Sequence, residues 1–351
     1  MSDINAAKQS LSQVPSLRWR LQARIAEFLP GVLLATIIAM AAMFLNERYG
    51  GPVMLYALLL GIAFSFLHDH ERLAPGICFA AQQVLRIGIM LLGIRITIGE
   101  VALLGLPTLA LVIAGLVMTI GVGTLIARSC GLKPDHAVLS AGAVAICGAS
   151  AALAISAVLP QQKNSERNTI LTIVGVTALS TIAMVIYPFL AAAFDLTDRE
   201  AGIFIGATIH DVAQVVGAGY TISDEAGETA TIVKLMRVAC LVPVIFLIGM
   251  SMRGGEERPA GAAPPPLLPL FLVGFVVLMI LNSGGLVPEA VQLSLGDLSR
   301  WGLITAVAAL GIRTSLSDIF KVGLIPVAVL TLQTVMLAAF ALAGICLFIA
   351  V

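Results

Sequence analysis

The sequence predicts an all-α polytopic membrane protein with inverted repeats, 9–11 spans, and two interrupted segments that are either broken helices or re-entrant hairpins. Three observations carry this. The chain of 351 residues is 59% hydrophobic and 11% charged, with mean hydropathy +1.03. A soluble domain carries about 25% charged residues, so this apolar excess exceeds what an aqueous core can bury, and lipid is the solvent for most of the chain. Apolar runs recur along the whole length with short loops between them. Two of those runs are broken at their centres, one by small residues and one by ionisable residues.

The elements follow in order. Residues 1–29 are polar and basic, with Trp19, and read as a cytoplasmic amphipathic segment. They do not resemble a cleaved signal peptide, because the polar part is long and no small-residue cleavage site follows the first apolar run. Residues 30–351 form a single integral domain. Its apolar runs lie at 31–46, 53–67, 78–98, 105–127, 137–160, 168–193, 202–222, 229–251, 267–282, 299–316 and 323–350. Each approaches or exceeds the ~20 residues that a helix needs to cross the hydrocarbon. The longest connection, Met252 to Pro266, ends in a proline run and reads as an extended linker. Cys78, Cys130, Cys147, Cys240 and Cys346 have neither disulfide nor zinc spacing and read as small core residues. The formal net charge is zero, so no attraction to nucleic acid is implied.

Lysine and arginine mark the cytoplasmic side. Lys8, Arg18, Arg20 and Arg24 place the amino terminus there, and Arg72, Arg128, Lys133, Arg253 and Arg258 follow on the same side if the two interrupted segments are treated alike. If 137–160 crosses fully, Lys163 and Arg167 fall outside and the acidic "DLTDRE" falls inside. If it enters and returns, both loops fall on the expected side. The same hairpin reading of 202–222 leaves "SDEAGE" outside. Two hairpins entering from opposite sides give nine spans, and two full crossings give eleven. The charge rule favours the hairpins and leaves both arrangements open.

Two internal matches support a repeat. Gly93-Ile94-Arg95 aligns with Gly311-Ile312-Arg313, and without a gap Glu100 aligns with Asp318 and Gly105 with Gly323. In either count of spans the two copies run in opposite directions. Asn168-Thr169-Ile170-Leu171 pairs more weakly with Ala230-Thr231-Ile232-Val233. Inverted repeats with paired broken elements are a signature of secondary transporters. The matched blocks come in different order in the two halves, so a head-to-tail duplication does not follow.

The interruptions carry the candidate chemistry. "AGAVAICGASAALAISAVLP" (Ala141 to Pro160) has Cys147, Gly148, Ala149 and Ser150 at its centre. A break frees backbone N–H and C=O groups, which lipid does not satisfy, so it is tolerated only beside protein or a water-filled cavity. Freed N–H groups at a half-helix start attract an anion, with the Ser150 hydroxyl as an added donor. The competing reading is close packing of small residues in an unbroken helix. "IFIGATIHDVAQVVGAGYTI" (Ile203 to Ile222) places His210 and Asp211 at the matching point, with Gln214 one turn on. A charge at bilayer depth costs roughly 2.5–3.5 kcal/mol on insertion scales. Asp211 therefore needs a partner or a proton, which makes it and His210 candidates for proton coupling; the competing role for Asp211 is a helix N-cap.

Lys234 and Arg237, three apart on one helix face, are candidates to supply positive charge to an anion. Arg86 lies one turn from Gln82 and Gln83, and Arg95 and Arg313 read as snorkelling span ends. No enzyme motif and no cofactor-binding motif is found. His68 and His70 in "HDHER" read as a solvated loop rather than a metal site.

"AICGASAA", "GATIHDVAQVVGAG" and "ATIVKLMRV", with the span order around them, resemble the bacterial sulfate-exporter family of the YeiH type, from about residue 30 onward. The resemblance implies an inner-membrane relative of the bile acid and proton-antiporter transporters. It also implies their fold: inverted repeats, broken helices crossing at the midplane, and a core domain beside a panel domain. The expected function is secondary transport of a small anion (sulfate, a sulfonate or a small carboxylate), proton-coupled and by alternating access. A cation/proton antiporter using Asp211 is one alternative, and a channel or membrane sensor is another. The expected partners are the anion, a proton or other coupling ion, and the lipid bilayer, with a homodimer allowed.

Overall fold

The computed structural model describes residues 17–160, 164–252, 269–314 and 324–349, with side chains from residue 26 onward. The structure is all-helical, with no strand among the described residues. Residues 1–16, Lys163, nearly all of the 252–266 linker, Asp318 and Gly323 lie outside the described residues, and with them much of the expected amphipathic segment and half of the first repeat match.

The first group of helices comprises α1 (Leu17–Tyr49), α2 (Val53–Ala63), α3 (Ala74–Leu92) and the short α4 (Ile98–Leu103). A π-helical turn at Ala80–Val84 interrupts α3. The chain continues through α5 (Gly105–Ser129) into the first interrupted segment, α6 (Pro134–Ala145) and α7 (Ala149–Ser156). The long α8 (Ser165–Ala193) leads to the second interrupted segment, α9 (Asp198–Thr208) and α10 (Val212–Ile222). Then come α11 (Asp224–Ala239), α12 (Leu241–Met252), α13 (Leu270–Ser283), α14 (Glu289–Arg313) and α15 (Leu324–Phe348). Seven described helical stretches are long and apolar enough to cross a membrane. They begin at Ala26, Ala74, Gly105, Ser165, Asp224, Glu289 and Leu324, and Val53–Ala63 and Leu270–Ser283 are shorter apolar helices.

Several boundaries differ from the sequence reading for local reasons. α14 begins at Glu289, ten residues before the apolar run at 299, because the polar stretch after Pro288 is also helical and largely exposed. The run 229–251 divides at Cys240, where Pro243 has no N–H to offer Ala239. Of the cysteines expected in the core only Cys147 is buried; Cys78 and Cys240 are half-buried, and Cys130 and Cys346 face outward.

Both interrupted segments fold back on themselves. A Cβ on Gly142 of α6 would collide with the Ile155 side chain of α7, although a continuous helix would hold residues 142 and 155 about 20 Å apart. Gly202 of α9 and Gly219 of α10 both pack on the Ala226 carbonyl: a Cβ on either would sit 2.8 and 3.1 Å from it, where a continuous helix would separate the two glycines by about 25 Å. These are helical hairpins, which departs from the crossing broken helices that the family resemblance implied.

The hairpins approach α8 from its two ends. The first meets the amino-terminal half of α8, where Thr172 Oγ1 lies 3.4 Å from His136 Nε2 and Val176 packs on Gly148. The second meets the carboxy-terminal half, through Thr181 with Gln214, Met184 with Gly217, and the Tyr187 and Phe204 rings at 5.1 Å. The tips touch at Gly148 and His210: a Cβ on Gly148 would lie 3.4 Å from the His210 Cβ.

Two packed groups result. α1, α2, α3, α13 and α14 pack on one another, with glycines at the close approaches: Gly31 on Gly76, Gly61 on Gly311, and Gly93 on the Phe275 carbonyl. α5, both hairpins, α8, α11 and α15 form the second group, in which α5 and α15 run antiparallel and Gln333 Nε2 donates to the Gly123 carbonyl at 2.9 Å.

Candidate functional site

The first tip breaks where the backbone demands it. Gly148 adopts φ 61° and ψ −119°, a conformation that excludes ordinary side chains, so α6 stops and α7 restarts in a new direction. Gly148 N donates back to Ala143 O at 2.8 Å, and Ala152 N is the first donor of α7 to close onto Gly148 O. The N–H groups of Ala149, Ser150 and Ala151 therefore precede the first internal bond of α7. At the second tip Ile209 and Asp211 are both extended, which lets α10 restart after α9. Asp211 is the N-cap of α10, with Oδ1 accepting from Ala213 N at 3.3 Å.

The opposite ends of these breaks are the carbonyl-bearing termini of α6 and α9, and α11 serves them with two cations. Lys234 Nζ donates to Ile146 O at 2.7 Å and Ile209 O at 2.9 Å. Arg237 donates from Nε to Ala145 O at 3.1 Å, from Nη1 to Gly206 O and Ile209 O at 3.2 and 3.0 Å, and from Nη2 to Val144 O and Ala145 O at 2.9 and 2.8 Å. These bonds use all five guanidinium N–H groups. Both residues are buried. Such groups need saturated hydrogen bonding to be tolerated without water, and a cation at a helix C-terminus also opposes the negative end of the dipole.

A cavity of about 530 Å³ lies between the two helix groups, against the hairpin tips. From the tips it is lined by Cys147, Ala149 and Ser150, then by Asp211, Val212, Ala213 and Gln214. α8 contributes Thr177 and Thr181 to the wall, α3 contributes Gln82 and Arg86 beside its π-helical turn, and α14 contributes Arg313. His68, Pro269 and Thr314 form its rim, at the neighbouring ends of α2, α13 and α14. Gln214 is fully buried; its Nε2 lies 3.5 Å from Thr181 Oγ1, and its Oε1 has no hydrogen-bond partner.

The sequence-derived candidates therefore divide. Cys147, Ala149, Ser150, Asp211 and Gln214 share the cavity wall, and Gly148 shapes the turn behind it. Lys234 and Arg237 do not line the cavity; their donors face the backbone on the far side of the tips, so direct contact with a ligand, as expected from the sequence, is not what the geometry provides. His210 also lies off the wall: its Nδ1 is 3.1 Å from Val144 O, and its Nε2 is 2.9 Å from Thr334 Oγ1. Arg313, read as a snorkelling end, faces the cavity, and Arg95 pairs with Glu228 at 3.2 Å. Thr177, Thr181 and Thr334 were missed. Gln333 and Thr334 stand together inside the apolar final span, a polar pair that signals an internal contact. Among the described residues no three His, Cys, Asp or Glu gather as metal ligands.

A family model described as "Conserved hypothetical protein 698" matches residues 30–330. The UPF0324 membrane protein TauZ of Paracoccus denitrificans is 51% identical over 318 residues, covering 90% of this chain and 94% of that protein. The chain belongs to this family. Other UPF0324 membrane proteins are CT0845 of Chlorobaculum tepidum, 47% identical over 323 residues (92% of this chain and 90% of that protein), and RB0971 of Rhizobium meliloti, 46% identical over 345 residues (98% and 97%). This UPF0324 chain is thus a bacterial multi-pass membrane protein. None of these three names states a transported ion, so the sulfate-exporter description suggested by the motifs gains nothing from them. No solved structure matches the UPF0324 chain.

Proposed function

We propose that this protein is a secondary transporter of a small anion, working by alternating access in the bacterial inner membrane. One observation carries the reading: the cavity wall brings together the starts of α7 and α10, Arg86 and Arg313, against Asp211 as its lone carboxylate among the described residues. Two half-helix N-termini contribute roughly +0.5 charge each and two C-termini roughly −0.5 each, so the dipoles cancel and the side chains decide the sign. Lys234 and Arg237 outweigh Asp211 at the tips, and the two wall arginines add to the excess. An anion with tetrahedral or planar oxygens (sulfate, a sulfonate or a small carboxylate) fits the N–H groups of Ala149 and Ser150, the Thr177 hydroxyl and an arginine.

The membrane arrangement supports this reading. The seven long spans with Val53–Ala63 and Leu270–Ser283 make nine crossings, the number that two re-entrant hairpins require. The amino terminus and the rim of the cavity then lie on the cytoplasmic side. The inverted repeat also gains a physical sense: Gly93 of α3 packs on α13 as Gly311 of α14 packs on α2. α5, the first hairpin and α8 correspond to α15, the second hairpin and α11, so the second copy is circularly permuted, which accounts for the altered block order. The two packed groups act as panel and core. Asp211 opposes an anion unless protonated, so it is assigned the coupling proton, with His210 linking the first tip to α15.

The test is transport by purified protein in liposomes, using labelled sulfate, an alkyl sulfonate and a small carboxylate, with and without a pH gradient. Uptake of none of these, together with sodium-dependent proton movement, would favour the cation/proton antiporter. Anion flux that never shows counterflow would favour a channel.

A further inference from the structure

We infer that Glu166 and Arg313 form the ion pair that closes the mouth of the cavity in the alternate conformation, as Arg95 and Glu228 close the opposite side in this one. The inference rests on the transporter reading and deepens it by naming the gate.

In this conformation Arg95, just beyond the end of α3, and Glu228 on α11 bridge the two helix groups at 3.2 Å, both partly shielded from solvent. Beside them lies a cavity of only about 10 Å³, lined in part by Arg95, Tyr220, Asp224 and Arg300. The other side holds the open cavity of about 530 Å³.

The internal matches carry this pair onto a second one. Gly93-Ile94-Arg95 aligns with Gly311-Ile312-Arg313, so Arg313 is the counterpart of Arg95. The match of Asn168-Thr169-Ile170-Leu171 with Ala230-Thr231-Ile232-Val233 extends back two residues without a gap, which makes Glu166 the counterpart of Glu228. The packing agrees, because α3 and α14 run antiparallel, with Arg95 beside Gly296 and Gly88 beside Leu303.

Arg313 and the face of α8 that carries Glu166 both border the open cavity. Arg313 lines the cavity. Glu166, in the first turn of α8, is exposed and lies seven residues before the cavity-lining Ile173, on the helix face that continues to Thr177 and Thr181. Neither forms an ion pair among the described residues. Exchanging one pair for its counterpart keeps the two conformations close in energy, which a transport cycle requires. Exposed pairs contribute only ~0.2–1 kcal/mol, so neither pair traps its state.

The test is cross-linking in the full-length chain in native membranes, with the five native cysteines replaced. R95C/E228C and E166C/R313C are oxidised with copper phenanthroline, and the bond is read as protection from a maleimide–polyethylene glycol gel shift. Both pairs are expected to cross-link, and trapping one is expected to reduce formation of the other when all four cysteines are present. If E166C/R313C stays reactive, with and without added anion, where R95C/E228C cross-links, the gate is overturned. Should the cysteine replacements misfold, charge reversal in the native background gives a second reading. E166R is expected to slow anion uptake roughly fivefold, and R313E by more because Arg313 also lines the cavity, with E166R/R313E faster than R313E alone. Additive losses in the double variant overturn the pairing. Cross-links without uptake of any anion would uphold the gate and sink the substrate assignment, so the two failures are distinguishable.

Discussion

The Lys234 ammonium donates to the Ile146 carbonyl at 2.7 Å, across 88 residues of sequence, and so holds the end of α6 against α11. Arg237, one turn further along, holds the same helix end and the end of α9. Each is therefore a brace for the hairpin tips, and its charge reaches the cavity through the backbone it fixes.

Removing a brace is expected to act on stability first. Lys234→Ala leaves the Ile146 carbonyl without that donor, at about 1–3 kcal/mol for a buried group left unsatisfied, whereas the Ile209 carbonyl keeps Arg237 Nη1. Arg237→Lys is not conservative, because an ammonium replaces five fixed N–H bonds with at most three. Both variants are expected to unfold at lower temperature in detergent, read by size-exclusion after heating. Wild-type melting with selectively weakened anion binding would instead point to direct contact.

Arg313→Ala and Arg86→Ala are expected to do the reverse. Both side chains line the cavity, and each charge-assisted hydrogen bond to a bound anion is worth about 1.5–3 kcal/mol, roughly 10- to 150-fold in affinity. Calorimetry with the transported anion, beside a melting curve close to wild type, checks this. Unchanged affinity in both variants would remove the arginines from the site.

Asp211→Asn separates capping from coupling. Asparagine caps a helix about as well as aspartate, so the α10 start and the melting temperature are expected to be retained. The neutral amide lacks the titratable proton, so uptake is expected to continue while losing its response to an imposed pH gradient. A wild-type pH profile would leave Asp211 as a cap alone.

Gly148→Ala is expected to cost about 1–3 kcal/mol or more, since φ 61° with ψ −119° strains any residue with a Cβ. The cost is conformational, because the new methyl would make only ordinary contacts with the His210 Cβ at 3.4 Å and Val176 at 3.5 Å. The readout is a lower melting temperature together with lost uptake. Ala149→Gly, which needs no unusual backbone, serves as the comparison.

The hairpins are open to a labelling test. A single cysteine at Asn164 is expected to react with an impermeant maleimide from the cytoplasmic face, and one at Asp198 from the outside. Labelling of both from one face would mean that α8 does not cross, and the count of nine spans would be wrong.

Composition and charge determined what could be read locally: a lipid-solvated all-helical chain, most helix positions, the breaks at Gly148 and His210, and the balance of lysine and arginine that favoured hairpins over crossings. Those signals are short-range or additive, so a linear pattern holds them. The sequence also paired Arg95 with Arg313 as repeat counterparts, because identical short strings survive in a line of text. Which face each side chain presents was decided only by tertiary structure. Lys234 and Arg237 look like ligands in sequence because a cation in an apolar run demands an anion or an equivalent. That demand is met by carbonyls at helix ends 25 to 93 residues away, bonds that no local pattern encodes. Arg313 looks like a snorkelling end because nothing nearby marks the cavity, whose walls come from α3, α7, α8 and each of α10 to α14 at once. A site assembled from eight separate helices exists only after they pack, and so its chemistry belongs to the fold.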